Sequence, residues 1–403
     1  MTMSLEELGK QRILLLDGAM GSLLQRAHLP SEAFLSPATG KPEESCGELL
    51  NLHRPDVVRN IHQAYLDAGA DIKEFMADEG LEDAHIIETN TFNANRISLG
   101  EYGLEKWVRD LNLAACRIAT EARGGRDAFI AGDIGPTKES LSLATNVDDP
   151  AWRSRDFDSF VQVYEQQASA LLEGGVDLFL VETVFDTLVA KAAVKGCQRA
   201  MRLAGKTVPV MVSVTFSDQS GRMLCGQDLG AMVASFSEYP LFSLGINCST
   251  GARAMAEKAK ELAAISPFRV SIHPNAGIPD EDGNYPDGPQ KWSEELRDVI
   301  ESGEVSIVGG CCGTTPEHIR ALKAIATGVK PHAKGKETDS LVLSSLESRT
   351  VRPGVLFVVG ERCNVAGSRK FATMVAEHRW DEALSIARAQ VKAGADALDI
   401  CMD

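Results

Sequence analysis

Eight short apolar runs, separated by helix-like stretches, constrain the fold of this chain more than any other feature. They are ILLLDG (13–18), HIIETNT (85–91), AFIAGDIG (128–135), DLFLVET (177–183), VPVMVSVTF (208–216), FSLGINCS (242–249), RVSIHPNAG (269–277) and VSIVGGCCG (305–313). Each is rich in Ile, Leu and Val without apolar–polar alternation, as strands buried on both faces of a parallel sheet are. The intervals carry helical periodicity, for example DVVRNIHQAYLDAGAD and FDSFVQVYEQQASALLEGG, and several end on glycine, which tolerates the left-handed backbone that stops a helix. Eight strand–helix units in order, the last closed by TPEHIRALKAIATG, predict an α/β fold of the closed (β/α)8 (TIM) barrel type over residues 1–328. An open doubly wound sheet would require no particular strand number.

After Gly328 the composition changes. VKPHAKGKETDSLVLSSLESRTVRPG (329–354) reads as an interdomain linker. VLFVVGE (355–361), WDEALSIARAQVKAGAD (380–396) and ALDI then begin a second α/β unit over 355–403, which is expected to be truncated at Asp403 before a closed core forms.

A barrel of this kind places its chemistry at the carboxyl ends of its strands. That rim would carry Asp17, Glu88, Asn90, Asp133, Glu182, Asn247, Cys248, Asn275, Cys311 and Cys312. The formal net charge of −16 leaves no basic excess to neutralise phosphates, which argues against nucleic acid or an anionic membrane as partner and favours small molecules or proteins. No run of about 18 apolar residues and no leader-like start occur, so a cytoplasmic chain is expected. Nine irregularly spaced cysteines do not resemble a secreted disulfide framework, and reduced thiols are expected.

Two of those thiols, Cys311 and Cys312, are adjacent, and neighbours rarely bridge each other without strain. With a third thiolate they would supply most of a tetrahedral zinc shell, and Cys248, at the end of the sixth run, is the natural third. Three sulfurs and one open position is the pattern of a catalytic zinc. Spacing alone leaves equally open that Cys311 and Cys312 are small residues packed at a glycine-rich turn. Cys46, Cys116, Cys197 and Cys225 have no such partners and read as incidental; His273 and His318 are possible ligands, His318 being better read as a satisfied helix residue.

LLLDGAMGSLLQ, IIETNTFNAN, DIGPT, VETVFDTL, GINCS, HPNAG and GGCCGTTPEHI, in this order over residues 11–328, resemble the barrel of the homocysteine S-methyltransferase family. Downstream, FVVGERCNVAGSRKF resembles the opening of a methyltetrahydrofolate-binding barrel, which points to the cobalamin-dependent methionine synthases within that family. The resemblance implies an enzyme that binds L-homocysteine, with Cys248, Cys311 and Cys312 as the zinc ligands and methylcobalamin as methyl donor, carried by a cobalamin-binding domain or protein outside these residues. Methyltetrahydrofolate would be bound through the completed second domain. Asp17 and Glu182 would hold the substrate's ammonium, and the backbone amides of Gly18, Ala19, Met20 and Gly21 its carboxylate; an alternative for Asp17 is a cap on the following helix. Asn275 would supply an oxygen to zinc when substrate is absent, or be an ordinary turn residue.

The sequence departs from the family pattern twice. IKEFMADEGLEDAH (72–85) intervenes before the second strand, where an acidic excursion on the amino-terminal face is expected, and Cys401 in DICMD replaces an asparagine expected to face a pterin. Two alternatives stand beside the main reading. One is a homocysteine methyltransferase that uses betaine, S-methylmethionine or a corrinoid protein in trans. The other is a noncatalytic barrel with a structural or redox-sensing cysteine site.

Overall fold

The computed structural model describes residues 4–70, 85–144, 146–149, 151–216, 221–332 and 340–402. Eight parallel strands close into a barrel in sequence order: β1 (Leu14–Leu16), β2 (His85–Glu88), β3 (Ala128–Ile134), β4 (Leu178–Val184), β5 (Val210–Val214), β6 (Ser243–Gly251), β7 (Arg269–Asn275) and β8 (Ile307–Val308). Closure is made by β1 pairing with β8, Leu14 opposite Ile307 and Leu15 opposite Val308. Every strand lies within or overlaps its predicted run.

The strands are rich in Ile, Leu and Val because both faces are buried, and the period of two sorts their apolar side chains. Leu14, Leu16, Ile86, Leu178, Leu180, Met211 and Ile307 fill the barrel's interior, whereas Ile13, Leu15, Ile87, Phe179, Val210 and Val212 join the larger core shared with the surrounding helices. The interior cluster also takes in Leu5 and Leu8 from the helix Leu5–Gln11, which the strand pattern did not predict. A capping box from Ser4 to Glu7 starts that helix, and the buried Arg269 guanidinium holds it by a 2.8 Å ion pair to Glu6 while lying 4.5 Å from the Phe242 ring. At Gly245 a Cβ would overlap the Ser271 carbonyl on β7, so this interior position admits no side chain.

The acidic stretch 72–84 lies outside the described residues; His85 is the first residue of β2. The expected linker differs from its reading. It contains β9 (Val342–Ser344) and β10 (Ser348–Thr350), paired as a two-stranded sheet, and its tip is bonded to the barrel: Asp228 N donates to Leu346 O at 3.0 Å and Gln227 Nε2 to Ser345 O at 2.8 Å. The strands on either side of Ser-Leu-Glu are three residues each and carry no apolar–polar alternation, so no strand pattern announces them in the sequence.

The second unit is formed by β11 (Val359–Asn364), the helices Arg369–Ala376 and Trp380–Lys392, and β12 (Ala397–Cys401). β11 and β12 are parallel, and Cys363, Phe371, Met374 and Ala383 form a small core between strands and helices. Its first strand begins four residues later than the predicted 355. Among the described residues no helix is long and apolar enough to cross a membrane.

Candidate metal and substrate site

Cys248, Cys311 and Cys312 meet at the carboxyl rim because both segments leave regular strand geometry there. Strand alternation would send Asn247 and Cys248 to opposite faces. Cys248 and Ser249 instead take left-handed φ values of 60° and 54°, and the β6–β7 register shifts between Asn247 and Gly251, so both side chains serve the site. Such backbone is uncommon for non-glycine residues and is found where function demands it. Beyond β8 the chain stays tied to its neighbours, Gly310 N to Asp17 O at 3.0 Å and Cys311 N to Pro274 O at 3.0 Å. Gly313, at φ 79°, lies against the Tyr285 ring, where any Cβ would collide.

The sulfurs of Cys248 and Cys312 lie 3.9 Å apart and those of Cys311 and Cys312 4.0 Å apart, and all three fall within 4.8 Å of one another. A tetrahedral zinc with bonds of about 2.3 Å separates its sulfurs by about 3.8 Å, so the residues present fit that ion. Sharing of hydrogen bonds splits the thiols. Bonds from Cys248 and Cys311, with one from Tyr285, lower Cys312 to about 3, whereas bonds with Cys248 and Cys312 push Cys311 well up. Three thiolates this close repel one another, and a cation at their centre removes the conflict.

Beside the sulfurs lies a group of buried acids. Asp17, 2% exposed, accepts a bond from Glu88 N at 3.1 Å through Oδ2, while Oδ1 has no partner. It does not cap the next helix: Met20–Arg26 is preceded by Ala19 and has no side-chain cap. Glu182, 8% exposed, is pushed up to about 8 by burial and then by the Cys248 sulfur. Burial first, and repulsion from neighbouring acids second, hold Glu88 and Asp133 well above the carboxylate range; burial does the same for Asp17. Glu88, Glu182 and His273 bring one ligand atom each within 4.8 Å of the others, and neither ring nitrogen of His273 has a partner. Such a group calls for a positive charge.

Of the amides at Gly18–Gly21, that of Ala19 already donates to Thr314 Oγ1 at 3.1 Å. Met20 and Gly21 open a helix, where N–H groups lack intrahelical acceptors. Asn275 ends β7; its carbonyl accepts from Trp292 Nε1 at 2.9 Å and its Oδ1 has no partner. His318 is a satisfied structural residue, with Nδ1 at Thr315 and Nε2 2.9 Å from Asp287 O. Cys46, Cys116 and Cys197 sit in apolar clusters where burial pushes their thiols up, and Cys225 is half-buried near Gln227. Sequence reasoning missed Tyr285, whose loop position carries no spacing signal.

Residues 14–326 match the family described as Homocysteine S-methyltransferase, and residues 360–403 match that described as Pterin binding enzyme. The barrel is also similar to crystal structures of the homocysteine methyltransferase MmuM from Escherichia coli. The metallated form is 22% identical with a TM-score of 0.57, covering 79% of this chain and 98% of that one. The apo form is 21% identical with a TM-score of 0.53, covering 79% and 97%. These likenesses show the same fold, and the family match spans the barrel from its first strand to its last helix. The chain belongs to the homocysteine S-methyltransferase family of enzymes.

Proposed function

We propose that the barrel binds L-homocysteine beside a zinc ion held by Cys248, Cys311 and Cys312, and that the chain is the homocysteine-activating part of a cobalamin-dependent methionine synthase. The observation that carries this reading is the placing of three sulfurs at zinc spacing next to uncompensated buried acids. Bound there, zinc would supply a Lewis acid that lowers the pKa of a substrate thiol, since only a thiolate is a competent nucleophile.

The chain's own residues do the rest. Asp17 and Glu182 hold the ammonium, which supplies the missing positive charge, and the free N–H groups of Met20 and Gly21 face the substrate carboxylate, with Gly18 and Ala19 shaping that turn. The unpaired Oδ1 of Asn275 is the oxygen available to the metal when no substrate is bound. The pterin-binding match after the barrel supports the cobalamin-dependent branch, in which methylcobalamin is the donor and methyltetrahydrofolate its source. Nine free cysteines suit a reducing compartment, and we assign the chain to the cytoplasm.

A second reading, supported by the likeness to a homocysteine methyltransferase, keeps this site and takes methyl from betaine, S-methylmethionine or a corrinoid protein. The donors separate the two. Zinc-loaded protein with L-homocysteine is expected to form methionine from free methylcobalamin and not from betaine or S-methylmethionine. The reverse pattern would establish the second reading.

A further inference from the structure

Asn247 is 1% exposed and touches three neighbouring parts of the rim through one amide group. Its Oδ1 accepts from the backbone N–H of Thr183 at 3.0 Å and from Ser213 Oγ at 2.8 Å. A backbone N–H can only donate, so the bond from Thr183 fixes which amide atom is oxygen. Nδ2 must then face the other way, towards Glu182 Oε2 at 3.0 Å, Thr183 Oγ1 at 2.8 Å and, at the longer distance typical of sulfur, Cys311 Sγ at 3.9 Å. Thr183 itself takes a left-handed φ of 55°, where the β4–β5 register shifts, and this backbone turn aims its N–H at Asn247. One buried nitrogen therefore bonds both the candidate ammonium-binding carboxylate and a sulfur of the candidate metal seat.

We infer that Asn247 is a positioning residue that fixes the distance between Glu182 and the cysteine cluster, and so selects thiols whose amino group and sulfur are spaced as in homocysteine. The inference rests on the proposed roles of Glu182 and the three cysteines. An amino thiol must span from carboxylate to metal, and its reach is set by the number of methylenes between Cα and sulfur. With the amide in place the span is a single length. Without it Glu182 loses the Asn247 donor to its carboxylate, and Cys311 loses the amide that links it to that carboxylate.

The test compares binding of three thiols to zinc-loaded full-length chain by calorimetry: L-homocysteine, 4-mercaptobutanoate, which lacks the amino group, and L-cysteine, which is one methylene shorter. Wild-type protein should prefer homocysteine to both. In Asn247→Ala and Asn247→Leu each preference should shrink by about tenfold, the scale of a lost charge-assisted hydrogen bond, with zinc still stoichiometric. Ser213→Ala, which removes one of the two bonds fixing the amide, should shift the same ratios in the same direction by less. Each ratio is taken within one variant, so a smaller folded fraction lowers all three affinities together and cancels. Ratios unchanged from wild type in all three variants would overturn the inference. A wild-type protein that binds homocysteine no better than 4-mercaptobutanoate would instead overturn the assignment of Glu182 to the ammonium, and the inference with it.

Discussion

Cys248→Ala, Cys311→Ala and Cys312→Ala are each expected to reduce bound zinc from about one per chain to near zero after dialysis, with homocysteine methylation lost alongside it. Structural zinc sites bind with about 10–16 kcal/mol from four ligands, so each thiolate contributes on the order of 3 kcal/mol, a factor of at least about a hundred in affinity. Two remaining sulfurs are too few. The barrel should survive, because none of the three cysteines belongs to the apolar clusters that hold the strands and helices together. Metal analysis and far-UV circular dichroism check both parts. Stoichiometric zinc in all three variants would remove the cluster from the account, and a collapsed spectrum would make the metal structural.

Glu182→Gln and Asp17→Asn are expected to weaken homocysteine binding by about 10- to 150-fold each while leaving zinc in place, from charge-assisted hydrogen bonds worth about 1.5–3 kcal/mol. Glutamine keeps an oxygen for the Asn247 amide, so the change tests charge more than shape. Binding of 4-mercaptobutanoate should be nearly unaffected, since it has no ammonium to lose. The empty barrel offers a second readout. With its carboxyl raised from 4.5 to about 8, Glu182 keeps a proton in the native state that the unfolded chain has released. Stability of the zinc-free protein should therefore fall as pH rises between those values, and Glu182→Gln should flatten that decline. Wild-type homocysteine affinity in both acid variants would reduce the carboxylates to structural groups.

The barrel was legible because its strands are continuous apolar runs, a pattern that parallel strands buried on both faces impose. The plug at its base was not. Leu5–Gln11 spans two turns, and its role depends on Leu5 and Leu8 meeting side chains from strands far along the chain. The hairpin of β9 and β10 was passed over for a similar reason: its strands are three residues each and gain their place by bonding to residues 227–231. At the rim, the three cysteines were legible as residues at strand ends. The left-handed backbone that turns Cys248 inward carries no glycine to announce it. Asp17 was readable as an acid next to a helix start, but its bond to Glu88 N, which removes it from capping, appears only when β1 and β2 pair. Asn247 stood among the rim residues without a role, because its amide is oriented by β4 and β5 together.

X-ray absorption at the zinc edge counts the sulfur ligands before and after homocysteine binds. Zinc-loaded protein should show three sulfur neighbours, with the remaining position filled by a lighter atom, and saturation with L-homocysteine should raise the count to four. L-Methionine, whose thioether has no proton to lose, should leave it at three. A sulfur count that stays unchanged at saturating L-homocysteine would contradict the account, because the substrate would then be binding away from the cysteines that are proposed to activate it.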